Sequence, residues 1–187
     1  MATKRYSLIA RVLHWLVAGL VAVQIALGFA TDWTARPLSD ALLDQHVRIG
    51  IALLVLIVLR LLWRLGNPPP PLPERLAAWQ RRSAALVHRA LYALLILMPV
   101  TGYVLWAWTG PRLDWWGAGR VPIVFRGSDD ELWRSVAGYV HEYGAYAIAA
   151  LILVHIAAAL HHAFVARDLS IRERMGFGAL DDDARPD

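Results

Sequence analysis

Residues 141–164 read HEYGAYAIAALILVHIAAALHHAF. Residues 143–165 contain no Lys, Arg, Asp or Glu. That is enough apolar length to cross a bilayer, which needs about 20 such residues. His141 and His155 stand 14 residues apart in this stretch. At about 100° per residue, this spacing is four helical turns less about 40°, so both rings leave roughly one face. At about 1.5 Å per residue they lie about 21 Å apart along the axis. One helix of this kind can hold two planar groups, one near each membrane face.

Three further stretches have the same character. Residues 12–30 carry only His14 and Gln24 as clearly polar side chains. Residues 41–65 are apolar apart from Asp44, Gln45, His46, Arg48, Arg60 and Arg64. Residues 90–109 have no charge. The whole chain of 187 residues is 58% hydrophobic and only 18% charged, against about 25% charged in an ordinary soluble domain. A segment in lipid must satisfy its backbone internally. The expectation is therefore an all-α fold, an integral membrane four-helix bundle in one domain, with spans at about 10–31, 43–65, 86–109 and 138–166. The first apolar run exceeds the 7–15 residues of a signal-peptide core and contains His14, so it reads as a retained span.

Connections and charge give an orientation. The NPPPPLP run at 67–73 cannot be helical and forms a stiff linker between two hairpins. Residues 76–86 read as an interfacial helix before the third span, and Pro99 and Gly102 should bend that span. The long 110–137 connection carries Trp115 and Trp116, and 178–187 is an acidic tail. Lys4, Arg5 and Arg11 lie at the N-terminus, and Arg64, Arg75, Arg81 and Arg82 flank the proline run. The first connection sets Arg36 against Asp32, Asp40 and Asp44. The third sets Arg112, Arg120, Arg126 and Arg134 against Asp114, Asp129, Asp130 and Glu131. Lys and Arg favour the cytoplasmic side, so both termini and the proline linker are expected there. The net charge of +4 fits this bias, and no basic, aromatic-interleaved surface points to nucleic acid.

Ionisable residues inside spans are costly and mark functional sites by default. A lone histidine is as well explained by a structural hydrogen bond; four at matched depths are not. His14 and His155 share the depth nearer the cytoplasm, and His46 and His141 share the outer depth. A tetrahedral zinc site needs all its ligands within about 2 Å of one ion, and two separated pairs do not provide that. A di-iron carboxylate site needs Glu-x-x-His motifs, which the spans lack. The absence of cysteine excludes thiolate-held iron–sulfur clusters and covalently attached c-type haem. Haem with two axial histidines fits, because the porphyrin supplies the other four nitrogens and most of the buried area. Such an iron has no open position, so its role is electron transfer.

Other polar residues have competing readings. Arg48 and Arg60 are candidates for haem propionates; snorkelling to headgroups is the plainer account and suffices for Arg64. His88 is structural or interfacial, or a proton donor to a quinone. His161 and His162 are interfacial anchors, or deliver protons on the cytoplasmic side, since imidazole titrates near neutral pH. Gly28, Gly50, Gly102 and Gly144 suit close approach of a porphyrin, or ordinary small-residue helix packing.

The pattern resembles the bacterial cytochrome b561 family of small dihaem membrane cytochromes. The resemblance runs through RYS at 5–7 with His14 and Trp15, HVRIGIALLVLIVLRLLWRL at 46–65, the proline run, HRALYALLILMPVTGY at 88–103, and the quoted last span. It implies two haem b groups with axial ligands His14, His46, His141 and His155, and a bacterial inner-membrane location. The family includes superoxide oxidases, which pass electrons from superoxide at the outer face to ubiquinone. It also includes quinone-reactive cytochrome subunits docked to a hydrogenase or another periplasmic dehydrogenase. The expectation is a superoxide:ubiquinone oxidoreductase, with quinone, superoxide and membrane lipid as partners and Arg48, Arg112, Arg120, Arg126 and Arg134 biasing an anion's approach. The rivals are an electron-transfer subunit with a redox partner protein, and a non-redox, histidine-lined membrane protein.

Overall fold

The computed structural model describes residues 5–71, 76–110, 112–123, 131–166 and 174–176. Leu72, Pro73, Arg75, Arg126, Asp129, Asp130 and the acidic tail at 178–187 lie outside the described residues. Four helices follow in order: α1 (Leu8–Trp33), α2 (Leu38–Gly66), α3 (Ala78–Thr109) and α4 (Glu131–Leu160). A π-helical turn, His161–Val165, continues α4. All four helices are long and apolar enough to cross a membrane. The chain is an all-α membrane bundle. Its inner end carries residues 5–7 and 67–71; its outer end carries residues 34–37 and 112–123.

Local chemistry sets the helix ends. Ser7 caps α1 by accepting from the Ala10 amide at 3.3 Å, and its hydroxyl also accepts from Trp63 Nε1 at the end of α2. The α1–α2 turn is closed by Ser39 donating to the Thr31 carbonyl. α2 stops where Asn67 bonds back to Trp63 through both its backbone and side-chain amides, and the prolines that follow cannot continue a helix. At the start of α3, Gln80 Oε1 accepts from the Ala77 amide. α3 is continuous from Ala78, so residues 78–86, expected as an interfacial helix before the third span, run into that span without a break.

Backbones approach closely at the α1–α2, α2–α3 and α3–α4 seams; α1 and α4 are not among the closely packed pairs. Packing is concentrated in two places. Val17, Val21, Leu53 and Ile57 form a central cluster, joined by Leu95 and Ile152. Trp106, Ala107 and Leu113 form a second at the outer end, joined by Val47, Ile51, Val121 and Ile123. Most other apolar side chains face outward: Leu62 is 60% exposed, Leu153 68% and Phe164 67%. A continuous apolar surface of this kind belongs in hydrocarbon.

The connection after α3 is tied down over the outer end. Asp114 and Arg120 form an antiparallel bridge around a turn with Trp116 at φ 49° and Gly117 at φ 80°. A bulky residue in that left-handed region is strained, and here its side chain is anchored: Trp116 Nε1 donates to Gln45 Oε1. Trp115 Nε1 donates to the Arg48 carbonyl, and Tyr103 OH to the Pro122 carbonyl at 2.7 Å. The two tryptophans thus grip α2 on either side of His46.

Candidate functional site

The four span histidines meet in two pairs. The His14 and His155 ring centres are 6.3 Å apart, with planes at 68°. Those of His46 and His141 are 6.1 Å apart, at 83°. Two metal–imidazole bonds of about 2 Å separate ring centres by about 6 Å when one ion lies between them. Both spacings fit an axially ligated iron. Among the described residues, no group of three or more His, Cys, Asp or Glu gathers as a metal site.

Hydrogen bonds orient the outer pair. His46 Nδ1 lies 3.2 Å from the Gln24 carbonyl, which can only accept. His141 Nδ1 lies 3.0 Å from Thr101 Oγ1, whose own hydrogen is directed at the Leu97 and Met98 carbonyls. Both Nδ1 atoms are therefore donors, which leaves the Nε2 lone pairs for a metal, the usual arrangement around a ligating histidine. Room for the rings comes from glycine. A Cβ on Gly102 would sit 2.9 Å from His141 Cε1, and one on Gly28 3.3 Å from His46 Cε1. These two glycines seat the imidazoles; Gly50 makes room for Gln24 and Gly144 for Met98.

Two buried polar atoms toward the outer end have no hydrogen-bond partner among the described residues: Gln24 Oε1 and Trp106 Nε1. Trp106 belongs to the outer cluster against which Val47, next to His46, packs. An unsatisfied buried polar group costs about 1–3 kcal/mol, so these atoms suit a bound group with polar substituents. Arg48 is held on its own helix by Asp44, with N···O distances of 2.7 and 3.1 Å.

The inner pair is set differently. Arg60 NH2 lies 3.2 Å from His14 Nδ1; a guanidinium can only donate, so this Nδ1 accepts, a neutral His14 ring carries its hydrogen on Nε2, and ligation through Nε2 requires Arg60 to release the ring. Arg60 also donates to Tyr92 OH and the Ala10 carbonyl, and Arg64 to the same Tyr92 hydroxyl. Arg60 is thus inside the site, within reach of a carboxylate there. His88, whose depth had no partner by residue count, has its ring 5.2 Å from that of His155. His161 and His162 contact each other at 5.6 Å in the π-helical turn, and no ring contact joins them to the inner pair among the described residues. A cleft at the inner end is lined by Arg60, Trp63, Arg64, Tyr92 and Met175, among others.

The model of the family described as prokaryotic cytochrome b561 matches residues 5–178. Cytochrome b561 homolog 2 of Escherichia coli (strain K12) is 30% identical over 186 residues, 95% of each chain. Cytochrome b561 homolog 1 of the same organism is 28% identical, covering 91% of this chain and 97% of its own length. A probable superoxide oxidase CybB of Yersinia pestis is 27% identical, covering 92% and 96% respectively. With a family model spanning nearly its whole length, this chain belongs to the prokaryotic cytochrome b561 family, and is a multi-pass membrane protein with b-type haem.

Proposed function

We propose that the protein is a dihaem cytochrome that moves electrons from superoxide at the outer face to ubiquinone at the inner face. The observation that carries this reading is the pair of matched imidazole spacings, 6.3 and 6.1 Å, set 14 residues apart along α4. His14 and His155 are the inner ligands, His46 and His141 the outer ones. Haem b, when bound, supplies one-electron redox chemistry. The protein's part is to hold two such groups at different depths and exclude other ligands from the iron. The net reaction balances as two superoxide anions, one quinone and two protons giving two dioxygen and one quinol. The similarity to a probable superoxide oxidase supports the donor.

The inner cleft has only about 20 Å³ of free space, so a quinone head group enters it only as the lining side chains part, but those side chains have the chemistry to hold one. Tyr92, Arg60 and Arg64 offer hydrogen-bond donors to quinone carbonyls, and Trp63 an aromatic wall. His88 is the favoured proton carrier, being beside His155; His161 and His162 are the second choice. At the outer end, Arg112 and Arg120 line a cavity of about 250 Å³ with Val121 and Ile123. Neither forms an ion pair with another described residue, whereas Arg48 and Arg134 are each paired with an acid. Arg112 and Arg120 therefore lead as the groups that attract an anion.

The test is stopped-flow reduction of the haems by superoxide, with and without added ubiquinone. Reduction should be fast, and quinone should reoxidise the haems. Substituting both Arg112 and Arg120 with Gln should slow reduction about three- to tenfold at low salt, because exposed cations raise encounter rates. The difference should shrink at about 1 M salt, where the Debye length is about 3 Å. A neutral donor should be unaffected. Wild-type haems that superoxide does not reduce would remove the superoxide assignment.

The inner end should face the cytoplasm in the bacterial inner membrane, with both termini there. Reporter fusions after Asp187 and within the 112–123 segment measure this directly. A periplasmic C-terminus would invert the electron path.

A further inference from the structure

The prolines of the 67–71 connection have no N–H, and their carbonyls belong to no helix or strand. Arg174 uses them. Its NH2 donates to the Pro70 carbonyl at 3.1 Å and also to that of Pro71, and the residue is only 7% exposed. The next step along the chain is just as specific. Three successive carbonyls each accept from α1 or the residues that lead into it. The Arg174 carbonyl takes the Tyr6 amide at 3.3 Å. That of Met175 takes Trp15 Nε1 at 3.0 Å, and that of Gly176 takes Arg11 NH1 at 2.6 Å. Donors placed to meet every carbonyl of a segment make a seat for it, unlike the frayed ends usual at chain termini.

This seat lies at the inner pair. Trp15 follows His14, and the two rings are in edge-to-face contact at 5.3 Å. Met175, half-buried, lines the same cleft as Arg60, Arg64 and Tyr92. A thioether on a flexible, unbranched chain packs well against a planar ring. We infer that Arg174–Gly176 forms the closing wall of the inner cleft, with Met175 packed on the quinone head group and Arg174 as the positioning residue that holds it there. The inference rests on the quinone reading above and adds residues that no helix contributes. The polar side of the cleft comes from α2 and α3; Met175 joins Ala10 of α1 and Trp63 of α2 on its apolar side.

The chain has no cysteine, so a Met175→Cys variant carries a single thiol. In detergent-solubilised holoprotein, its maleimide labelling is measured with and without decylubiquinone. At ten times its Kd the quinone leaves about one tenth of sites free, so labelling should slow roughly tenfold. A Trp79→Cys variant, at a position 68% exposed in the first turn of α3, should label equally in both conditions. In parallel, Met175→Ala should raise the KM for decylubiquinone about tenfold, as expected for loss of apolar contact in a pocket. It should keep both haems and nearly the wild-type kcat, and Met175→Leu should restore KM. Unchanged labelling together with an unchanged KM in Met175→Ala would overturn the wall and leave the quinone reading standing. Reduced wild-type haems that decylubiquinone cannot reoxidise would overturn both.

Discussion

In the His141→Ala variant, one haem should be lost and the other kept, and His46→Ala should give the same spectrum. His14→Ala and His155→Ala should remove the remaining haem instead. Each pair encloses one site at a ring separation near 6 Å, so either partner alone leaves the iron short of a ligand. The variants should therefore fail to add within a pair and add fully between pairs, the signature of residues sharing one site. His46→Ala with His141→Ala should resemble either single variant; His14→Ala with His141→Ala should leave no haem. The measurement is haem content per protein, with a redox titration to show which component remains. The pairing is wrong if His46→Ala and His14→Ala deplete the same component. His88 provides the strictest control. Its ring is closer to His155 than that of His14 is, so His88→Ala losing the inner haem outright would make it the ligand in place of His14.

The four helices were readable because lipid imposes a simple rule: long apolar runs with no charge in their middle. The 14-residue spacing on α4 and the matched depths make His14 with His155, and His46 with His141, candidate pairs from the sequence alone. His88 escaped that reasoning for a physical reason. A span starting near 86 puts His88 at its very edge, whereas α3 begins at Ala78. The helix thus puts His88 about 15 Å in from its start, at about 1.5 Å per residue, which is the depth of His155. The Nδ1 partners were not legible either. A carbonyl of Gln24, a hydroxyl of Thr101 and the guanidinium of Arg60 meet particular rings only because of how each helix is rotated about its axis. Apolar periodicity sets that rotation weakly when lipid and the bundle interior are both apolar. The seating of Arg174–Gly176 depends on proline carbonyls more than 100 residues earlier, a link that no local pattern carries.

The glycines give the sharpest test of ring placement, because substitution should act against its own intrinsic effect. Changing Gly to Ala within a helix ordinarily stabilises it by about 0.5–1 kcal/mol. At Gly102, however, the new methyl would lie 2.9 Å from His141 Cε1, closer than side-chain carbons tolerate. The ring cannot simply slide away, since its Nδ1 is held at 3.0 Å by Thr101, the neighbouring residue on the same helix. The methyl must push the imidazole off line or break that bond. Disturbing the orientation of a ligating histidine typically costs 10–100-fold in metal affinity, so Gly102→Ala should lose most of the outer haem while the inner one stays. Gly28→Ala, at 3.3 Å from His46 Cε1, should produce a milder shift in the same spectral component. Gly138→Ala meets nothing within 4 Å and should keep both haems. The order of the three effects is the test: haem content and the outer-haem potential should change most at Gly102, less at Gly28 and not at Gly138. A Gly102→Ala protein with both haems and unshifted potentials would mean that His141 does not sit against α3 when the haem is bound. Loss of the inner haem in that variant would show that the outer and inner assignments are exchanged.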